Sequence, residues 1–221
     1  MVPFRYNIRS LLVRKITTAA TAIGIALVVF VFAAAMMLGE GVNRALATSG
    51  RVDTAIVLRK GSDAELSSTL NGEQLNILRG NSAVATTAPE GGVIGEVVLV
   101  ITQELTDGSG GISNVLVRGM PAGGMAFRPE ATIVSGRAPK AGTNEVIVGR
   151  GINGRFKGIS PGQSFDIRRN RPLNVVGVFA TGGTSFESEV WGDLDSIRAA
   201  VGRQATVSSA RVRLTSASAF D

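Results

Sequence analysis

Residues 16–38 contain no charged side chain, whereas the rest of the chain alternates short apolar runs with glycine-rich polar breaks. Roughly 20 apolar residues cross a bilayer core as a helix, so 16–38 is expected to be a transmembrane helix. Two other readings compete with it. A cleaved signal sequence is also preceded by basic residues, and Ala45-Leu46-Ala47 resembles a small-residue cleavage site. Its apolar core is only roughly 7–15 residues long, however, and Ala45 lies beyond Glu40 and Arg44. A buried helix of a soluble core seldom runs this far with nothing more polar than threonine.

Within the span, Thr18, Ala22 and Ala26 recur every four residues, and Ala20 with Gly24 adds a second pair of small residues. Small side chains let helix backbones approach closely in lipid, so this face is expected to pack against other membrane helices. The plainer alternative is that alanine is common in membrane spans. Upstream, Phe4, Ile8, Leu11 and Leu12 fall at helical spacing among Arg5, Arg9 and Arg14, the pattern of an amphipathic helix on the inner membrane surface, or simply a charged flank. Downstream, Val42, Ala45 and Leu46 keep a helical spacing to Ser49-Gly50, which predicts a projecting stalk over 39–50.

Beyond residue 50 the period shortens. Strands are expected at 53–60, 82–87, 94–102, 112–118, 145–148, 164–168, 173–179 and 207–215. Asn71 is placed to cap a short helix that turns Leu75 and Leu78 inward and ends at Gly80. Asp193 is placed to cap another, carrying Leu194, Ile197 and Val201 and closed by Gly202. Residues 89–92, 107–111 and 161–162 read as turns or loops, 149–157 as a short helix or turn, and 169–172 as a hairpin. The mixture predicts an α+β fold: a cytoplasmic leader over 1–15, a transmembrane helix over 16–38, a stalk over 39–50, and a domain over 51–221 in two lobes meeting near 119–136. The end at residues 216–221 is abrupt and suggests that the domain continues in a longer chain.

Composition changes this picture in one respect. The net charge of +6 resembles a nucleic-acid footprint, but Arg5, Arg9, Arg14 and Lys15 supply four of the charges before the first acid, Glu40. A basic segment directly before an apolar span is the positive-inside pattern, so Arg5, Arg9, Arg14 and Lys15 are expected to hold the N-terminus in the cytoplasm and the domain outside it. The remainder is nearly neutral, and no nucleic-acid partner is expected. The sequence has no histidine and no cysteine, which removes the usual general base, the commonest metal ligand and every thiolate site.

Two patterns could still carry chemistry. Gly149, Gly151 and Gly154 match GxGxxG after a strand, but Gly158 and Pro161 cut the following helix short, and 168–171 is basic where a ribose-binding acid belongs. The glycines are read as a tight turn. Glu187 and Glu189 flank Ser188 and would share a face if extended. No base or ligand cluster lies near them in sequence, so they are read as a solvated edge or an interlobe salt bridge, with Trp191 as a core or interface anchor. No catalytic, cofactor-binding or metal-ligating residue is expected, and the chain is not expected to be an enzyme.

The order of short motifs resembles the MacB/FtsX/LolC type of ABC transporter permease with its periplasmic core domain. The residues are the leader from Arg9 to Lys15, the Ala/Gly/Val-rich span, Gly39 to Leu46, Val117-Arg118-Gly119, Ser135-Gly136-Arg137, 145–149, Pro161-Gly162-Gln163 and 175–179. The resemblance implies a bacterial inner-membrane protein with three further spans after the domain. It implies that ATP is bound by a separate ABC ATP-binding subunit and not by this chain. It also implies a second permease copy or homologue as partner, with a periplasmic adaptor or outer-membrane channel as a further one. Its function would be mechanically driven export or extraction of a hydrophobic molecule, peptide or lipoprotein. FtsX-like regulation of cell-wall hydrolases and a single-span anchored binding module are the alternatives.

Overall fold

The computed structural model describes residues 13–48, 51, 53–203, 205–216 and 219. Arg5, Arg9 and the amphipathic leader pattern lie outside these residues, as do Ser49 and Gly50. The first element, α1, is a 34-residue helix over Lys15–Thr48. At 1.5 Å per residue it is roughly 50 Å long. Its part from Lys15 to Val42 is long and apolar enough to cross a membrane. Gly39 and Gly41 do not interrupt it. Along α1, Ala20, Ala22, Gly24 and Ala26 are exposed and Thr18 is half-buried, while Arg14 and Lys15 stand exposed at its start.

The domain from Thr48 onward is a compact unit of its own. Its centre is a hairpin of two long strands, β3 (Val93–Glu104) and β4 (Ile112–Met120). On one side of β3 lie β11 (Ser209–Arg213) and then β1 (Thr54–Val57), both antiparallel. On the other side β4 takes β9 (Glu189–Asp193) in parallel, and β9 takes β6 (Glu145–Gly149) antiparallel. Beyond β6, β8 (Arg171–Ala180) pairs with it in parallel, with β5 (Thr132–Gly136) and β7 (Ser164–Arg168) both antiparallel to β8. One nine-stranded sheet therefore runs through both halves of the domain, joined where β4 meets β9. A separate ribbon pairs β2 (Leu70–Asn71) with β10 (Thr206–Val207).

Two short helices cover one face of the sheet. In α2 (Gly72–Arg79), Asn71 and Gln74 form a reciprocal capping box, satisfying two backbone donors that a helix start leaves open. In α3 (Leu194–Val201), the Asp193 carboxylate accepts from the Ser196 amide, and Gly202 closes the helix in the left-handed conformation. Ile197 of α3 is buried against Gly119 of β4 and Gly192 of β9. A side chain at either glycine would hold the helix off the sheet. The valines of β3, β4, β6 and β9 fill the layer beneath. On the opposite face a smaller cluster gathers Met120, Ile147, Phe179, Phe186 and Trp191.

Several sequence expectations need correction. Residues 82–87 do not form a strand: the Asn81 side chain accepts from the Ala83 amide at 2.9 Å, and the chain turns, making a single isolated bridge, Val84 opposite Leu214, at the end of β11. The closing strand expected over 207–215 is divided at Ser208, whose hydroxyl takes the Val98 amide at 3.0 Å, so that β10 and β11 join different sheets. The first strand spans Thr54–Val57 alone. Strands β5 and β9 were not anticipated. Of the helix or turn expected over 149–157, the turn is found: Gly149 ends β6 and residues 150–155 are turns, with Gly154 at a φ of 76°.

Candidate functional site

Glu96 is the fourth residue of β3, within its buried stretch, where an isolated charge would be expensive. It is fully buried. Arg128, which follows the 3-10 turn over Ala122–Phe127, donates to both of its oxygens at 2.6 and 2.7 Å. Arg118, on β4, donates to Glu96 at 2.9 Å and to Glu189 of β9 twice at 2.8 Å, and reaches Glu65 with two more bonds at 3.0 and 3.1 Å. Ser209 closes the edge by donating to Glu65 at 2.6 Å. Arg211, one residue pair along β11, approaches Glu96 at 3.8 Å. Three carboxylates and three guanidiniums thus balance inside the domain, drawn from β3, β4, β9, β11 and two turns.

Aromatic rings pack over this cluster. The Trp191 indole donates to Glu189 at 2.7 Å and stacks on Phe179 with centroids 3.8 Å apart. The Arg128 guanidinium sits 4.9 Å from the Phe186 centroid and 5.2 Å from that of Trp191, within reach of a cation–π attraction. Burial pushes the Glu96 carboxyl up, but Arg128 and Arg118 outweigh it and hold it well below the usual range. Burial likewise opposes the charge on Arg118, and Glu189, Glu96 and Glu65 overcome it and raise the group further. Arg211 goes the other way. Burial and the neighbouring Arg128 lower it to about 10, and its Nε has no hydrogen-bond partner.

Glu187 and Glu189 do not share a strand face. Glu187 belongs to a 3-10 turn over Ser185–Ser188, and its carboxylate accepts from the Thr181 and Gly183 amides at 2.8 and 3.0 Å. The solvated-edge reading is wrong for both acids, which are buried, and Glu189 makes a salt bridge between the two halves. Trp191 is a core residue, 1% exposed. The glycine motif also has a structural role: a Cβ at Gly149 would strike the Glu187 carbonyl, and Gly151 donates to that same oxygen at 3.0 Å. Among the described residues no group of three acids is placed to hold a metal ion.

Beside the charge cluster, and sharing Trp191 with it, is a cavity of about 110 Å³. Met120, Met125, Ile147 and Trp191 form its floor, while Ala141, Lys140 and Asp193 stand at its rim. Sequence reading missed both the cluster and the cavity. The one signal was an acid, Glu96, inside an apolar strand; its partners Arg118, Arg128 and Arg211 are 22, 32 and 115 residues away in the chain.

Comparison with known proteins adds the following. The family model described as the MacB-like periplasmic core domain matches residues 17–221. The extracellular domain of the noncanonic ABC-type transporter YknZ from Gram-positive bacteria is similar at 18% identity and a TM-score of 0.51, covering 75% of this chain and 83% of that one. The periplasmic region of MacB from Actinobacillus actinomycetemcomitans is similar at 12% identity and a TM-score of 0.52, covering 73% and 74%. At these identities the likeness is one of fold. No curated protein matches the sequence.

Proposed function

This chain belongs to the MacB-like periplasmic core domain family of ABC transporter permeases, and from that premise we propose that it is a mechanically coupled permease subunit. The family consists of permease components of transporters with other subunits, not of enzymes in themselves. In the proposed arrangement a separate subunit binds and hydrolyses ATP, and two permease copies or homologues move together. The chain lies in the bacterial inner membrane with its N-terminus cytoplasmic. The work done is periplasmic export or extraction of a hydrophobic molecule, peptide or lipoprotein.

The observation that supports mechanical coupling is the length of α1. A bilayer core is about 30 Å thick, and a 34-residue helix exceeds it by roughly 20 Å. That excess can act as a stiff lever, whereas a Gly/Ser chain behaves as a random coil and dissipates a push. The test replaces residues 42–49 by a Gly/Ser segment of equal length in the full-length permease, expressed with its ATP-binding subunit. Membrane insertion and ATP hydrolysis by the complex stay near their original level, and export falls steeply. Full export by the flexible variant at normal expression would remove the lever from the mechanism.

A further inference from the structure

We propose that the cavity floored by Trp191 is an anchor pocket for one aliphatic side chain of a partner polypeptide, with an acidic residue of that partner paired to Lys140. The inference concerns this surface alone and holds whether or not the helix acts as a lever.

Size excludes the commoner kinds of ligand. Small-molecule and cofactor sites enclose roughly 300–1,000 Å³, and an acyl chain needs a channel of similar volume. At about 110 Å³ this cavity is smaller than the roughly 150 Å³ void that accepts benzene. It fits a branched four-carbon group such as the leucine side chain. A pocket of this kind, with the buried Met120, Ile147 and Trp191 in its lining, is where a protein interface places a single anchor. Met120 and Met125 suit it to more than one aliphatic shape, because thioether side chains adapt to irregular contours.

Charge at the rim selects the flanking residue. Asp193 is committed to α3, its carboxylate accepting from the Ser196 amide and hydroxyl at 2.9 Å each. Arg137 is committed to Glu145 through bonds of 2.6 and 2.5 Å, and Glu145 also accepts from the Lys140 amide. The Lys140 side chain is exposed and lines the cavity; among the described residues its ammonium makes no hydrogen bond or ion pair, and its charge acts on Glu145 only as one of the weaker influences that lower that carboxyl. The rim therefore offers the Lys140 ammonium, held by no ion pair among the described residues, beside an apolar hole. Its complement is an aliphatic residue next to an acid.

Trp191 is the only tryptophan in the sequence, so its emission reports on the cavity directly. The full chain in detergent is titrated with a blocked tetrapeptide, acetyl-glycyl-leucyl-glutamyl-glycyl amide. A saturable emission change is expected. Replacing the probe's leucine by alanine weakens binding roughly tenfold or more, from the loss of buried methyl and methylene groups. Replacing its glutamate by lysine weakens it about two- to fivefold, the range of an exposed ion pair. Lys140→Glu inverts the preference between the two charged probes, and Ala141→Phe, which fills the cavity from its exposed rim, abolishes the signal. No saturable change, equal affinity for the leucine and alanine probes, or tighter binding of decanoate than of the peptide would each overturn the proposal.

Discussion

Glu96 shows how a single residue sets the character of the domain interior. A buried carboxylate is tolerable only when opposite charges and hydrogen bonds replace the water it has lost, and here Arg118 and Arg128 supply both. The three arginines of the cluster are not equivalent. Arg118 bridges Glu65, Glu96 and Glu189, so Arg118→Met leaves Glu65 and Glu189 without a guanidinium and Glu96 with Arg128 as its close one, and is expected to lower the unfolding free energy by about 3–5 kcal/mol, read from urea denaturation. Arg211 has an unpaired Nε and only a 3.8 Å approach to Glu96, so Arg211→Met is expected to cost less than about 1 kcal/mol or to stabilise. Equal losses for the two variants would refute this ranking. The acids also fix the response to pH. Glu65, Glu96 and Glu187 are all held below their ordinary value of 4.5 in the folded chain. A carboxyl lowered on folding contributes stability that is complete above its unfolded value and is lost as pH falls through its folded one. With no histidine to titrate, the urea midpoint should stay level between about pH 5.5 and 8 and decline below about pH 5. A decline that begins near neutrality would contradict the assignment.

At the level of elements, the end of β6 is one place where glycine is required for steric reasons. The Gly149 backbone lies against Glu187, so Gly149→Ala must push the 3-10 turn over Ser185–Ser188 away from β6, and with it the carboxylate that holds the Thr181 and Gly183 amides. Overpacking of this kind typically costs about 1–3 kcal/mol. A thermal melt of Gly149→Ala should show that loss, while Gly24→Ala, with open space around its Cα, should not. GxGxxG was therefore visible as a pattern and correctly read as a turn, but the partner that demands glycine is 38 residues later in the chain. The same contrast holds elsewhere. The capping of α2 by Asn71 and of α3 by Asp193 is local, written within four residues, and was legible. β9 was not, because Glu189 and Asp193 make its ends look solvated, when in the fold Arg118 pairs with Glu189 from 71 residues away and Asp193 is turned to cap α3. β5 is as long as β6 and β7, but four of its five residues are exposed and its register is irregular between Ile133 and Ser135, so no clear alternation marks it. The charge cluster shows the limit most plainly: each member is an ordinary polar residue until long-range strand pairing brings the six together.

For the molecule as a whole, the open step is which side of a membrane the sheet domain occupies. Lys15–Val42 can span by length and composition, but a helix carries no direction in its apolarity. Direction comes from flanking charge, and here it is lopsided: Arg5, Arg9, Arg14 and Lys15 precede the apolar run, whereas Glu40 and Arg44 follow it and cancel. Moving four uncompensated cations across the bilayer during insertion is opposed, so the leader should remain in the cytoplasm and the domain should be outside. The absence of native cysteine makes this directly measurable. Thr86 is exposed in a turn of the sheet domain, so Thr86→Cys should be labelled by a membrane-impermeant thiol reagent once the outer membrane is opened. Ser10→Cys should resist labelling until the inner membrane is lysed. Removing the asymmetry offers the complementary experiment. Changing Arg5, Arg9, Arg14 and Lys15 to glutamine, with two lysines added after Leu38, should invert or mix the labelling pattern. A domain that still labels only from outside would show that translocation of the folded unit, and not the leader charge, determines the orientation.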